Sequence, residues 1–320
     1  MKALRGKVVG LAATLLAVSF LTFMLTSLLP GDPAATILGE SGVTKEALAA
    51  VRAELGLNHP LPYRYWLWLD HLVHGNLGFS YAKNTKVSSL LASHLPVTVE
   101  IIVLALVISL VVAVPIGVFT AYRPGRIADQ IAAGTTFVLL AIPSFVMALL
   151  LILVFAVHLR LLPASGWVPL SQNPVKNLRS ALLPSVALAL PQIAVFARIL
   201  RGDMITTLRE DFVALATAKG LSTPRVLLRH AFRPSSFSLV TVVGLQVGFL
   251  LGGTVIVETL FSLPGIGAML IGAIESRDLI TVQGLTLFIA AAFVLVNFSV
   301  DLLYSVLDPR IRRGRSLASA

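Results

Sequence analysis

Residues 97–121 read VTVEIIVLALVISLVVAVPIGVFTA, an apolar run whose single charge, Glu100, lies near its start. A helix crossing about 30 Å of hydrocarbon needs roughly 20 apolar residues, so this stretch predicts a membrane span. The rest of the chain agrees. Of its 320 residues 57% are hydrophobic and 12% charged, the latter about half the share of an ordinary soluble domain. The mean hydropathy is +0.90. A soluble domain of this length has too little interior for so many apolar side chains, which excludes a cytosolic enzyme and a disordered chain. Zero cysteines exclude disulfides, thiolate metal sites and cysteine nucleophiles. Neither G-x-x-x-x-G-K-[ST] nor H-E-x-x-H occurs. The fold class is an all-α integral membrane protein.

Five further runs flank the first, at about residues 8–29, 131–157, 181–200, 236–257 and 280–307. Lys2, Arg5 and Lys7 precede the N-terminal run as in a signal peptide, but the run exceeds a signal h-region and reads as an uncleaved anchor. Six transmembrane helices place both termini on one side. With the termini cytoplasmic, the inside segments 1–7, 122–130, 198–235 and 308–320 carry 16 of the 25 basic residues. The outside segments 30–96, 158–180 and 258–279 carry the other 9. The positive-inside rule therefore predicts cytoplasmic termini, a basic cytoplasmic tail at 308–320 and an extracytoplasmic loop region at 30–96. The surplus of +10 is then a topology signal that needs no nucleic acid.

Uphill carriers place ionisable groups near mid-membrane, where each is costly. Here Glu100, His158, Arg198, Glu258 and Asp301 all fall within about two turns of a predicted span end. The mid-span polar residues are Ser109, Ser144, Gln192, Gln246, Thr254 and Asn297. They read either as hydrogen bonds between helices or as the lining of a polar path. Gly244, Gly248 and Gly252 lie four apart and predict a groove for close helix packing. Pro143, Pro184 and Pro191 each predict a kink or break in the local helix. Without a proton or sodium relay, the energy for uphill transport belongs to another subunit.

The most informative stretch is polar: RGDMITTLREDFVALATAKGLSTPRVLLRHAFRPSS, residues 201–236. Leu208, Phe212, Leu215 and Lys219 follow helical spacing, with Ala214, Ala216 and Ala218 thinning the same turns. Gly220 stops that helix. Thr223 followed by Pro224 predicts an N-cap and a first helical position. In the second helix Arg225, Arg229 and Arg233 form one stripe and Leu228 and Phe232 an apolar pair, with Pro234 closing the segment. Two short helices meet at a glycine corner on the membrane surface.

This segment resembles the EAA signature of permease subunits of bacterial ABC importers. That signature is Glu-Ala-Ala, three residues, then Gly. Here the corresponding positions are Ala214, Leu215 and Ala216, so only the last Ala matches. The departure fits the peptide and nickel branch, whose members read close to YVRTARAKGLS against FVALATAKGLS at 212–222. Seven further motifs resemble the same branch in order: LLPGDPA at 28–34, LGLNHPLP at 55–62, GNLGFSY at 75–81, IPSF at 142–145, LPASGW at 162–167, VETLFSLPGIG at 257–267 and DLLYSVLDPRIR at 301–312. The likeness is nearest to B-type permeases of dipeptide or oligopeptide importers.

The resemblance implies a type I ABC importer permease fold whose core is residues 97–307, with segment 201–235 coupling it to ATPases. Phe212, Leu215, Ala216, Ala218, Lys219, Gly220, Leu221, Arg225, Leu228 and Arg229 would meet the ATPase, although the arginines equally suit anchorage to anionic lipid. It implies a non-catalytic subunit of the bacterial inner membrane that binds no cofactor itself, ATP and Mg being held by two partner ATPases. The other partners implied are a homologous second permease and an extracytoplasmic substrate-binding protein. Tyr63, Tyr65, Trp66 and Trp68 predict contact with the membrane interface, and the loop around them is the candidate dock for the binding protein. His71 and His74 read as solvated histidines rather than a nickel site. The readings that compete with peptide import are the same machine carrying nickel, haem or a sugar, a self-sufficient carrier or channel, and an intramembrane enzyme, which lacks a catalytic dyad.

Overall fold

The computed structural model describes residues 2–27, 34, 44–54 and 56–307. The motif at 28–34 apart from Ala34, Leu55, and the tail 308–320 lie outside the described residues. Eleven described helices can be named in chain order: α1 (Lys2–Ser27), α2 (Lys45–Glu54), α3 (Leu61–Val73), α4 (Val87–Tyr122), α5 (Ile127–Ala141), α6 (Ser144–His158), α7 (Pro174–Thr207), α8 (Asp211–Ala218), α9 (Thr223–Leu260), α10 (Ile266–Glu275) and α11 (Leu279–Leu307). A small hairpin, β1 (Phe79–Ser80) with β2 (Thr85–Lys86), precedes α4.

Among the described residues four helices are long and apolar enough to cross a membrane: α4, α7, α9 and the Leu279–Val300 part of α11. The predicted span at 131–157 is not one rod. It is α5 and α6, bent by 102° at Ile142–Pro143, and counts as a fifth crossing only if the two are taken together. The cause is local. Proline disfavours helical dihedrals in the residue before it, and Ile142 is extended (φ −89°, ψ 121°). The apolar stretch Val8–Met24 of α1 falls short of the length of the other four. Conversely, α4 has 36 residues, about 54 Å at 1.5 Å per residue. It begins ten residues before the predicted span and is longer than the roughly 30 Å of a hydrocarbon core.

The chain forms two compact units, residues 1–98 with 264–295, and residues 99–263 with 296–320. In the first, Leu91, Ile266 and Leu285 make a small core. Thr98 Oγ1 accepts the Ile266 amide at 2.9 Å and so caps α10. Asp278 caps α11, taking the Thr281 amide at 3.2 Å and hydroxyls from Thr281 and Ser80 at 2.6 and 2.5 Å. Helix α3 lies against α1. The Tyr65 hydroxyl is 2.9 Å from Ser19 Oγ, and the rings of Tyr65 and Trp68 meet Phe23 at 5.4 and 5.7 Å. The four aromatics of α3 therefore divide: Tyr65 and Trp68 pack on α1, while Tyr63 and Trp66 are exposed.

The second unit is built on α7. Its apolar window is 72% buried, against 22–33% for the other three long helices. Small residues line it: Ala181, Ser185, Ala187, Ala189, Ala194 and Ala197 are all buried. Phe196, Leu200 and Met204 fill the core with Ala113 and Ala121 of α4 and Leu239 of α9. The predicted glycine groove is only partly used. A Cβ on Gly244 would collide with Val300 Cγ2 of α11, whereas one on Gly252 would meet nothing within 4 Å. The next glycine, Gly253, takes over and faces Leu188 at 3.6 Å. Overpacking a close helix contact costs about 1–3 kcal/mol. Gly244→Ala is therefore expected to lower the thermal unfolding midpoint of the detergent-purified chain, and Gly252→Ala to leave it unchanged.

Candidate functional site

The segment singled out in the sequence forms an elbow between α7 and α9. Helix α7 runs to Thr207, past the predicted end at residue 200. It stops with tightened amide bonds from Arg209 to Thr206 and from Glu210 to Thr207, both 3.1 Å. Leu208 thus lies outside the next helix. Glu210 is extended, and α8 starts at Asp211, whose carboxylate suits a helix N-terminus. After Ala218 the chain turns through Gly220, at φ +77°. The Gly220 amide donates to the Thr217 carbonyl at 2.9 Å and the Leu221 amide to the Ala216 carbonyl at 3.4 Å. This is the paired closure of a Schellman motif, and the left-handed backbone is why glycine stands there.

The restart differs from the sequence reading in two ways. Ser222, not Thr223, is the N-cap, and Pro224 takes the second position. Pro234 does not close the segment, because α9 runs unbroken from Thr223 to Leu260. The passage is made through a π-helical stretch, Val226–Ala231. Wide i→i+5 turns displace the carbonyls that a proline ring would otherwise strike. They also break the predicted arginine stripe, because Arg225 and Arg229 no longer sit one ordinary turn apart.

Burial sorts the predicted residues. Val213, Ala216, Val226 and Ala231 are buried, so Ala216 packs inward instead of presenting itself to a partner. Phe212, Leu215, Ala218, Lys219, Gly220, Arg225, Leu228 and Arg229 are exposed, and Leu221 is half-buried. Leu215 and Leu228 are 56% and 61% exposed, with charged residues close by in the sequence. Behind the elbow lies a cleft of about 370 Å³ lined by Tyr122, Pro124, Leu208, Arg209, Val213 and Thr223.

One pair escaped the sequence reading. Arg201 of α7 grips Asp129 of α5 with two parallel bonds, Nε to Oδ1 at 2.6 Å and Nη2 to Oδ2 at 2.7 Å. Oδ2 also accepts the Gly125 amide at 2.8 Å. One turn earlier on α7, the Arg198 guanidinium lies over the Phe137 ring at 5.1 Å. At the other end of the elbow, Ser235 Oγ of α9 donates to Thr207 Oγ1 at 2.9 Å. The signal in the sequence is faint: Asp129 is the one acid in segment 122–130, and Arg201 falls among basic residues that topology alone explains.

The mid-span polar residues do not converge. Ser109 and Thr254 bond carbonyls of their own helices, Leu106 at 2.8 Å and Leu251 at 3.0 Å. Gln192 is buried with Oε1 lacking a hydrogen-bond partner. Ser144, Gln246 and Asn297 are half-buried. Among the described residues no three His, Cys, Asp or Glu side chains cluster as metal ligands, and His74 Nδ1 is engaged by the Asp70 carbonyl at 2.8 Å.

Two family descriptions match the chain. Binding-protein-dependent transport system inner membrane components match residues 113–313. The N-terminal description of the same membrane components matches residues 1–102. The chain belongs to this family. A peptide transport system permease protein of Brucella abortus is 40% identical over 93% of this chain and 95% of its own. A peptide ABC transporter permease protein of Sinorhizobium fredii is 37% identical over 96% and 97%. The dipeptide transport system permease protein DppB of Escherichia coli K12 is 36% identical over 94% and 96%. A chain of a crystallised amino acid ABC transporter overlays with a TM-score of 0.49 at 17% identity, covering 70% of this chain and 94% of that one; at that level it does not bear on the fold.

Membership makes this chain the membrane-embedded permease of a binding-protein-dependent transport system. A charge at Val213 would be buried unpaired, at a cost of roughly 3 kcal/mol or more. Val213→Asp is expected to lower the thermal midpoint sharply and Leu215→Asp to leave it within a degree or two, because the Leu215 side chain is already more than half exposed.

Proposed function

We propose that this chain is one permease half of an ATP-driven importer of short peptides. The cargo class follows the names of relatives that match nearly the whole chain at 36–40% identity. It works beside a homologous second permease, with two ATPases on the cytoplasmic face and a substrate-binding protein outside. Six spans with cytoplasmic termini, a type I permease fold and residence in the bacterial cytoplasmic membrane complete the reading. The chain itself is non-catalytic and holds no cofactor; ATP and Mg sit on the ATPases.

The observation that carries this reading is the elbow. Apolar Phe212, Leu215 and Leu228 stand exposed beside Lys219, Arg225 and Arg229. Exposed Glu210 and Asp211 stand at the start of α8, so the cationic charge gathers at the glycine corner, where an apolar knob beside it fits a groove on an acidic partner. Both ends of the elbow run directly into long helices, α7 and α9. Movement of a docked ATPase would therefore tilt helices of the bundle and exchange outward-facing and inward-facing states.

Gly220→Val places a β-branched side chain at positive φ, about 1–2 kcal/mol of strain, with no neighbour to clash. The variant is expected to reach the membrane at normal abundance while ATPase subunits no longer co-purify with it. Normal ATPase association together with normal uptake would remove the docking role. For the cargo, proteoliposomes holding the full assembly should accumulate a labelled dipeptide only with ATP and binding protein present. Accumulation by this polypeptide alone would overturn the importer reading.

A further inference from the structure

The elbow is joined to α7 and α9 by the chain itself, but α5 has no such connection to it. Arg201 lies six residues before the end of α7 and ten before the first residue of α8. It meets Asp129 two residues into α5. The Asp129 side chain is 7% exposed and that of Arg201 35%. A bidentate guanidinium–carboxylate pair fixes both distance and rotation, which a single contact does not. The Gly125 amide on the same carboxylate ties in the turn between α4 and α5. Helix α5 then leads through the break at Ile142–Pro143 into α6.

We propose that the Asp129–Arg201 pair is the positioning link that passes displacement of the elbow to α5, and through it to the bent α5–α6 element. The proposal rests on the elbow being where the ATPase docks. Helices α7 and α9 receive the movement through their own backbones; α5 receives it through this pair, with the Arg198–Phe137 contact steadying the same two helices. Breaking the pair leaves the machine assembled but slack, so ATP is hydrolysed without α5 following.

The test uses the full assembly in proteoliposomes, with ATP hydrolysed per dipeptide imported as the readout. Arg201→Gln and Asp129→Asn are expected to keep the ATPases bound and to raise that ratio about threefold or more, the scale on which single residues alter coupling between sites. Arg201→Lys keeps the charge but loses the fork, and should fall between. The decisive variant is Arg201→Gln with Asp129→Asn. It leaves no uncompensated charge, so its thermal midpoint should recover toward that of the unaltered protein while the ratio stays high.

A ratio that returns to normal with stability would make the pair an ordinary packing contact and overturn the link. An unchanged ratio in every variant would do the same. Loss of ATPase subunits from these variants would also count against it, because the pair would then be shaping the docking surface. Failure of the docking reading is seen separately, as normal ATPase association and normal uptake in Gly220→Val.

Discussion

Everything in the second unit depends on how closely other helices can approach α7. Between lipid-soluble helices the hydrophobic effect supplies little attraction, since lipid tails are as apolar as leucine; contact area and hydrogen bonds must hold them together. The alanines and serines of α7 provide that area by letting neighbouring backbones come near. A Cβ on Gly117 of α4 would lie 3.1 Å from the Ala197 carbonyl, and Ser185 reaches the Ile101 carbonyl at 3.5 Å. Pro184 and Pro191 are tolerated inside this helix because neighbouring helices and hydroxyl groups can re-satisfy the carbonyls they free.

The elbow must meet both the bundle and its outer surroundings. Within α8, Val213 and Ala216 turn inward while Phe212 and Leu215 turn out. The inner face lets α8 lie close to the bundle, and the outer face stays free for a partner. One short helix thus carries two surfaces with opposite demands, separated by the one-residue step between Leu215 and Ala216. A substitution at either has a different meaning, although the two are adjacent in sequence.

How much of this was legible depends on the range of each interaction. Membrane residence was plain because it follows from composition and run length, with no knowledge of neighbours. The corner at Gly220 was equally plain, since a Schellman closure is decided by residues within one turn of each other. The Asp129–Arg201 pair was hidden because its members are 72 residues apart and each has an adequate local explanation as a flanking charge. Pro143 predicts a kink or a break without deciding between them; its restriction on Ile142 makes the outcome a full break. The division of glycines between Gly244, which packs, and Gly252, which does not, depends on where α11 passes, and no spacing within α9 reveals it.

The π-helical stretch in α9 has a practical bearing on how this region is probed. Its wide turns rotate everything that follows relative to an ordinary α-helical wheel. A wheel drawn at 3.6 residues per turn from Arg225 places Ser235 and Leu239 at the wrong azimuth, whereas both are buried. Cysteine pairs or spin labels designed across Val226–Ala231 from sequence phase alone would point away from their partners. Phase should be counted afresh from Phe232.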